Sequence, residues 1–380
     1  MASDQLARAT AVVGVGTSAY GRFPERDGMD LAADAFDNAL ADAGLDRSVI
    51  DGLVVHRLPY YQRVSEMLGL QTRYTSHPGL WGGMSGVEVV RAVPALVTGT
   101  VNYVAFIYAD DSASRSFVYG GKALGKTPIQ DPFEPWGYTA PAARAALQYQ
   151  RYSHLYGVST EGLAEVPLAM RHNAQLNPQA VMYGRTMTFD DYAQAPWVVE
   201  PLRRNDCCLV NDGAVCIIMT TSDRARDCRQ DPVYLAGLAE RDEYTNHDAT
   251  WSTNFGFDAL RSASQAAQGM AGLQCSDVDV VCAYDHFSPG VLFQLEGLGF
   301  CDQGEGADFI AGGRIRVGGA LPVNPHGGHL SESYMLGWTQ HVEAVRQVRQ
   351  ECGDRQVAGA RVAQYVNPGA PITTILYTAD

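Results

Sequence analysis

Two short segments of the chain place tyrosine and histidine close together, and both side chains can exchange protons. The first segment is YDHF at 284–287, and the second is NPHGGHLSESY at 324–334. Tyr284 and His286 are two residues apart, so in an extended segment their side chains lie on the same face. Tyrosine has a reference pKa of about 10, so a tyrosine base needs a lowered pKa or a proton relay.

Two more histidines flank the Gly-Gly turn of the second segment. His326 and His329 stand eight and five residues before Tyr334. They are candidates for relay partners or hydrogen-bond donors. Tyrosines at the ends of strands and helices usually serve packing, however, and histidines in a turn often serve only the turn. The residue types therefore permit acid–base chemistry without establishing it.

The cysteines are distributed unevenly. None of the eight precedes Cys207, and they form neither a CxxC pair nor a zinc-type spacing with histidine. The opening residues MASDQLARAT contain no signal-peptide pattern, and no apolar run is long enough for a transmembrane helix. We expect a soluble, cytoplasmic protein with reduced thiols and no metal site of its own.

The charge balance excludes one class of partner. The chain has 28 basic and 42 acidic side chains among its 380 residues, which gives a net charge of −14. A nucleic-acid-binding protein normally shows a basic stripe, so that function is not expected. A small anionic ligand needs only a few local cations and remains compatible with this charge.

The elements that must position these side chains repeat along the chain. The segments AGLDRSVIDGLVVH (43–56) and AGLQCSDVDVVCAY (271–284) align without a gap. Each follows an apolar stripe of helical spacing, and each ends in an apolar strand. A helix at 85–97 with a strand at 103–108 likewise parallels a helix at 333–349 with a strand at 361–366.

Two halves that alternate strand and helix predict an internally duplicated α/β fold. One stretch has no counterpart in the second half and is predicted to be an insertion with helices at 141–156 and 160–175. The predicted division has three parts, which are a first half at 1–110 and 206–228, an insertion at 111–205, and a second half at 229–380.

An internal duplication with a large insertion in its first half resembles the thiolase superfamily, and four motifs point to its sterol-carrier-type branch. The stretch 145–178 is similar to the loop region of that branch. DCCLVNDGA (206–214) resembles its Asp-Cys-Cys and Asp-Gly-Ala signature. YDHF stands where such thiolases carry His-Asp-Cys-Phe, and NPHGG (324–328) matches their Asn-Pro-x-Gly-Gly turn. The resemblance covers essentially the whole chain and implies a five-layer α/β/α/β/α fold, a homodimer and an acyl-coenzyme A ligand.

The departures from the thiolase pattern concern the reactive groups. The turn that begins with the thiolase nucleophile reads GMSG (83–86) here, which puts Gly83 at the position of the nucleophilic cysteine. Tyr334 stands about where thiolases have the histidine of a Gly-His-Pro motif, and YVNPGA (365–370) lacks their second cysteine. Thiolase chemistry passes through an acyl-cysteine, so we do not expect this protein to be a thiolase.

This combination resembles the thiolase-like aldolases of bacterial steroid side-chain degradation, from cholesterol or bile acids. Such enzymes cleave a β-hydroxyacyl-coenzyme A ester by a retro-aldol reaction, which yields a steroid ketone or aldehyde and a short acyl-coenzyme A, such as acetyl- or propionyl-coenzyme A. The resemblance implies that Tyr284 and Tyr334 are the acid–base pair, and either could be the base.

The resemblance also implies supporting groups and a partner. His286, His326 and His329 would be relay residues, and backbone N–H groups at Gly83 and near Gly369 would form an oxyanion hole. A small OB-fold, zinc-ribbon-type partner protein would complete a heterotetramer, and any zinc would belong to that partner. From the residues alone, Arg203 and Arg204 could meet coenzyme A phosphates, although a solvated loop pair is an equal interpretation.

Two rival functions stay open at this stage. One is a thiolase-like acyltransferase or condensing enzyme, which a cysteine at position 83 would have favoured. The other is a non-catalytic thiolase-like subunit of a larger assembly. Cys207 and Cys208 are interpreted as packing residues rather than nucleophiles, because thiolases that use a different cysteine carry the same pair.

Overall fold

The computed structural model describes residues 5–79, 82–115, 140–242, 255–369 and 371–379. The first part of the predicted insertion, 116–139, lies outside the described residues.

The strands of the described residues form one large sheet and one small hairpin. In chain order they are β1 (Thr10–Thr17), β2 (Gly52–His56), β3 (Tyr74–Ser76), β4 (Tyr103–Asp110), β5 (Trp197–Val199), β6 (Leu202–Arg203), β7 (Gly213–Thr221), β8 (Val233–Arg241), β9 (Val280–Ala283), β10 (Val362–Asn367) and β11 (Ile372–Thr378).

The α-helices of the same residues vary from four to sixteen residues in length. In chain order they are α1 (Gly28–Ala43), α2 (Tyr61–Leu68), α3 (Met84–Val97), α4 (Pro141–Tyr156), α5 (Thr160–Ala174), α6 (Phe189–Gln194), α7 (Ser222–Ala225), α8 (Phe257–Ala271), α9 (Ser288–Leu298), α10 (Gly306–Ile310), α11 (Gly328–Ser331) and α12 (Trp338–Val348).

The order of strands in the large sheet contains the predicted repeat. The sheet runs β3-β2-β4-β7-β1-β8-β11-β10-β9. Apart from β3, the first half is the mirror image of the second, with β1 matched to β8, β7 to β11, β4 to β10 and β2 to β9. The directions agree as well, because β4 is parallel to β2 and antiparallel to β7, just as β10 is parallel to β9 and antiparallel to β11.

Two equivalent aspartates, one in each half, accept the same pair of backbone hydrogen bonds. Asp51, just before β2, accepts the backbone N–H groups of Asn102 and Tyr103 at 2.9 Å each, where β4 begins. Asp279, just before β9, accepts those of residues 361 and 362 at 2.8 and 3.0 Å, where β10 begins. The aspartate shared by the two aligned sequence segments therefore fixes the register of the same strand pair in each half.

Three hydrophobic cores separate five layers. The outer face of the first half packs against α1, with Phe36 fully buried. The central core combines Phe106 of β4 and Tyr365 of β10 with apolar side chains of α3 and α12. The outer face of the second half packs against α8 and α9, and the insertion helices α4 and α5 join that core. The helices α3 and α12 thus lie between two layers of sheet, which confirms the expected α/β/α/β/α arrangement.

One predicted helix begins later than the sequence suggested. The helix predicted at 333–349 starts only at Trp338, because Leu336 and Gly337 have φ values of +50° and +93°. Tyr334 was expected at a helix start and instead lies in an irregular segment between α11 and α12. The predicted boundaries of the two halves and of the insertion stay predictions.

Candidate active site

The hydroxyl oxygens of Tyr284 and Tyr334 lie 3.2 Å apart, which is hydrogen-bond distance. Tyr284 follows the end of β9, and Tyr334 lies before α12, fifty residues later in the chain. Both side chains are buried, with 4% and 9% of their surfaces exposed. The fold therefore brings together the two tyrosines that the sequence singled out, and a proton can pass directly between them.

A buried glutamine of α9 holds the backbone of Tyr284. The Tyr284 N–H donates to Gln294 Oε1 at 2.9 Å and also to the carbonyl of Val366 at 3.2 Å. Gln294 Nε2 in turn donates to the Tyr284 carbonyl at 3.0 Å. The Gln294 side chain thus binds both the backbone N–H and the backbone carbonyl of Tyr284.

A buried asparagine holds the backbone of Tyr334. Asn211, in the DCCLVND segment, accepts the Tyr334 N–H at 2.9 Å. The same segment lies beside the other motifs, because the N–H of Cys208 donates to the His286 carbonyl at 2.9 Å and that of Leu209 to the His329 carbonyl at 3.0 Å. Three motifs that are distant in sequence therefore meet at this point.

His329 packs against both tyrosine rings, with ring centroids 4.7 Å from Tyr284 and 5.0 Å from Tyr334. Its Nε2 accepts the N–H of Gly337 at 3.1 Å, so the neutral ring carries its proton on Nδ1, which lies 3.5 Å from an oxygen of Asp285. Burial holds the pKa of His329 well below its usual value. With Nε2 occupied, His329 packs edge-on against both tyrosine rings, and its role as a proton relay stays a prediction.

Asp285 organises the turn that carries His329. Its carboxylate accepts the backbone N–H of His329 at 2.8 Å and that of Leu330 at 3.4 Å, at the start of α11. A Cβ on Gly328 would come within 2.1 Å of this carboxylate. Burial raises the pKa of Asp285 to about 7. The glycine of the turn is thus required by the close approach of the aspartate.

The other two predicted relay histidines differ in position. The ring of His286 lies 5.0 Å from that of Tyr284, and burial lowers its pKa to about 4. His326 faces Glu332 instead, with Nε2 3.7 Å from Oε2, and burial lowers its pKa to about 4 as well. His286 therefore lies against the tyrosine pair, whereas His326 belongs to a neighbouring buried acid–base cluster.

The turn before α3 leaves no room for a side chain. A Cβ on Gly82 would approach the Tyr284 hydroxyl within 2.7 Å, and one on Gly83 would approach the Asn367 amide nitrogen within 2.6 Å. Gly83 also has a φ of +83°, which favours glycine. Asn367 Nδ2 donates to the Gly83 carbonyl. Asn367 thus fills the space of a side chain at Gly83, the position of the thiolase nucleophile, and the Tyr284 hydroxyl fills that of a side chain at Gly82.

One of the two predicted oxyanion donors already has an acceptor. The Gly369 N–H donates to Asn367 Oδ1 at 3.1 Å. Asn367, a 1% exposed side chain, bridges Gly83 and Gly369 through its amide. The role of Gly369 as an oxyanion donor stays a prediction, and it requires the N–H to exchange this acceptor for the substrate oxygen.

Arg203 and Arg204 have different environments. The Arg203 guanidinium lies 3.7 Å from the centre of the Trp197 ring and donates to the Ala195 carbonyl at 2.8 Å. Arg204 is exposed. Arg203 therefore supports its own loop, and the contact of Arg204 with a coenzyme A phosphate stays a prediction.

The paired cysteines are unsuited to nucleophilic chemistry. Both thiols are free, as are the other six. Burial raises the pKa of Cys207 to about 12 and raises that of Cys208 further. Since the thiolate is the reactive form, these values support packing as their role.

Three side chains at the site were missed from the sequence. Asn211 and Asn367 lie inside motif segments that are defined by their cysteines, aspartates and glycines. Gln294 is a polar residue on the otherwise apolar helix α9, and a polar residue in such a position usually has a specific hydrogen-bond partner. The signals were present, but neither asparagine belongs to the residue types expected to do the chemistry.

Among the residues that the structure describes, no group of three or more histidine, cysteine or acidic side chains could hold a metal ion. No helix within the described ranges has the length and apolar character to cross a membrane.

Comparison with known proteins covers the whole length of the chain. Residues 242–376 match a family model described as thiolase C-terminal domain-like. A 17-hydroxy-3-oxo-4-pregnene-20-carboxyl-CoA lyase of Mycobacterium tuberculosis is 35% identical, over 98% of this chain and 97% of that protein. A steroid side-chain-cleaving aldolase of Thermomonospora curvata is 34% identical, over 99% of each.

Solved structures agree with these relatives. The structure described as the Ltp2-ChsH2(DUF35) aldolase superposes with a TM-score of 0.91 at 33% identity and covers 99% of both chains. Human mitochondrial 3-ketoacyl-CoA thiolase superposes with a TM-score of 0.71 at 14% identity, which shows a common fold alone.

Proposed function

Since the chain belongs to the thiolase-fold family of steroid side-chain-cleaving aldolases, we propose that Tyr284 and Tyr334 are the acid–base pair of its reaction. The protein is a carbon–carbon lyase that cleaves the side chain of a steroid β-hydroxyacyl-coenzyme A ester by a retro-aldol reaction. The observation that carries the proposal for the site is the 3.2 Å contact between the two hydroxyl groups.

The proton balance of a retro-aldol reaction matches a pair of touching tyrosines. One tyrosine, in its tyrosinate form, accepts the proton of the β-hydroxyl, the electron pair of that O–H bond forms the new carbonyl, and the carbon–carbon bond breaks. Its electrons pass to the α-carbon as a thioester enolate. The other tyrosine then donates a proton to that carbon. Transfer across the contact restores the starting state, so no net proton is taken up.

The proposed assignment of base and acid rests on where the two tyrosines stand in the thiolase motifs. Tyr334 is proposed as the group at the hydroxyl. Tyr284, whose hydroxyl lies against Gly82, is proposed as the group that donates to the enolate. The N–H of Gly83 remains the proposed backbone oxyanion donor, and His286, beside Tyr284, remains the proposed supporting histidine.

The same turn argues against the two rival functions. An acyl-cysteine route needs a thiol at position 83, where Asn367 and a positive φ oppose any side chain. A non-catalytic subunit would not need two buried hydroxyl groups in contact beside two histidines. The aldolase reaction uses both hydroxyl groups.

The partner, the assembly and the location are further parts of the proposal. The related structure is described by two components, Ltp2 and ChsH2, which supports a two-protein complex here as well. We propose a homodimer that binds a small OB-fold, zinc-ribbon-type partner, with any zinc held by that partner. The proposed location is the cytoplasm, where coenzyme A esters are made and used, and no cofactor is proposed for this chain.

The reaction can be tested with the complex and a 17-hydroxy-3-oxo-4-pregnene-20-carboxyl-coenzyme A ester. A retro-aldol cleavage of this compound gives a 17-oxo steroid and propionyl-coenzyme A, both separable by chromatography. We expect release of both products without added free coenzyme A. A strict requirement for free coenzyme A would indicate thiolysis and overturn the reaction.

The two tyrosines are tested by removing their hydroxyl groups. Tyr284→Phe and Tyr334→Phe should each lower kcat by about a hundredfold or more, because each loses a proton-transfer group. Tyr183→Phe is the matched control, since its ring is 50% exposed. Wild-type rates for both active-site variants would leave the lyase activity established and refute the site assignment.

A further inference from the structure

The two tyrosines share one feature beyond their hydroxyl contact. The backbone N–H of each is accepted by the side-chain carbonyl of a buried amide, at 2.9 Å in both cases. Gln294 binds Tyr284, and Asn211 binds Tyr334. Gln294 and Asn211 are 0% and 3% exposed, so water does not compete for these hydrogen bonds.

Neither tyrosine lies within regular secondary structure that would fix its backbone. Tyr284 is the first residue after β9, and Tyr334 lies in the irregular segment between α11 and α12. Each amide therefore holds the tyrosine backbone from another element, together with the Val366 carbonyl in the case of Tyr284. Gln294 ties the end of β9 to α9, and Asn211 ties the segment of Tyr334 to the chain just before β7.

Both amides are themselves fixed by a second bond. Gln294 Nε2 donates to the carbonyls of Tyr284 and Gly290, at 3.0 and 2.7 Å. Asn211 Nδ2 donates to the carbonyl of Asp212 at 3.1 Å. These bonds fix which end of each amide faces the tyrosine, so the acceptor cannot rotate away without leaving a buried donor unpaired.

We infer that Gln294 and Asn211 are positioning residues that set the distance between the two tyrosine hydroxyl groups. The inference rests on the proposed function of the tyrosine pair. A shift of about 1 Å in a reacting group can cost roughly a hundredfold in rate. Loss of either amide should therefore slow bond cleavage while leaving most contacts with the coenzyme A ester in place.

The test uses Gln294→Ala and Asn211→Ala in the intact complex. We expect kcat to fall about ten- to a hundredfold in each, with KM changed by less than about threefold. Gln347→Ala is the matched control, because Gln347 is a fully buried glutamine that bonds to Glu343 and Arg355. It should lower thermal stability to a similar degree and leave kcat unchanged.

Double variants separate positioning from a general loss of stability. If Asn211 acts through the Tyr334 hydroxyl, Asn211→Ala should cost little in a protein that already carries Tyr334→Phe, and likewise for Gln294→Ala with Tyr284→Phe. Additive losses in both double variants, or an unchanged kcat in both single variants, would overturn the inference. Full activity of the two tyrosine variants would instead refute the proposed site on which it rests.

Discussion

The side chain of Asn367 occupies the space that any side chain at Gly83 would need. Its amide nitrogen and oxygen would lie 2.6 and 3.0 Å from a Cβ at that position, closer than van der Waals contact allows. Gly83 stands where the thiolase resemblance puts the nucleophilic cysteine, and Asn367 lies in the YVNPGA segment, which lacks the second cysteine. A polar side chain therefore fills the space beside the position of the missing nucleophile.

A first prediction tests this packing. Gly83→Ala should destabilise the protein by about 1–3 kcal/mol more than Gly99→Ala. Gly99 lies at the other end of α3, has a φ of +73°, and has no atom within 4 Å of its would-be Cβ. Both variants bear the cost of a positive φ, so the difference in unfolding free energy measures the clash alone.

Removing the Asn367 side chain tests whether that side chain causes the clash at position 83. In an Asn367→Gly background, the extra cost of Gly83→Ala over Gly99→Ala should shrink toward zero. An undiminished difference would mean that some other neighbour, and not Asn367, excludes a side chain from position 83. The measurement is urea denaturation of the purified protein, with the same probe for all variants.

The fold was predictable because its determinants are local and repeated. The aligned segments around Asp51 and Asp279 share one aspartate at the same distance from the following strand, and the structure gives both the same pair of backbone donors. Helical stripes and apolar strands then predicted most of the elements. The start of α12 was mispredicted, because the hydrogen bond of Gly337 to His329 and the positive φ values around it are tertiary features.

The site was predictable only in part, for a similar reason. Tyr284 and Tyr334 were found because a motif carried them. The roles of the residues around them depend on which atoms are already bonded. His329 has its Nε2 occupied, and Gly369 has its N–H occupied. No pattern of residue types contains that information, since it arises only when distant segments meet.

A second prediction concerns the recognition of coenzyme A. Arg204→Ala should raise KM for the ester about three- to tenfold with kcat unchanged, because an exposed arginine can pair with a phosphate at modest gain. The effect should shrink at high salt, which screens such pairs. Arg226→Ala is the control, as Arg226 is an exposed arginine that pairs with Asp223. An unchanged KM for Arg204→Ala would remove that residue from the ligand site.

A third prediction concerns the buried acid–base cluster that contains His326, Glu332 and Glu343. Burial, with the nearby charge of Glu343, raises the pKa of Glu332 to about 8. In the unfolded chain this carboxyl has a pKa of about 4.3. Between these values the folded state retains a proton that the unfolded state has lost. Stability from Glu332 is therefore present at low pH and is lost as the pH rises through 8.

The effect is measured between pH 6.5 and 8, where Asp285, with a pKa of about 7, contributes in the same direction to the wild type and to a Glu332 variant alike. Below that range His286 and His326, whose pKa values are lowered to about 4, act in the opposite direction, because the unfolded histidines take up protons first. From pH 6.5 to 8, Glu332 should cost the wild type roughly 1–2 kcal/mol of unfolding free energy. Glu332→Gln keeps the acceptor for Asn177 Nδ2, which donates at 2.9 Å, and should lose less over the same range. Identical pH dependence of the two proteins in urea denaturation would show that Glu332 is already ionised at neutral pH.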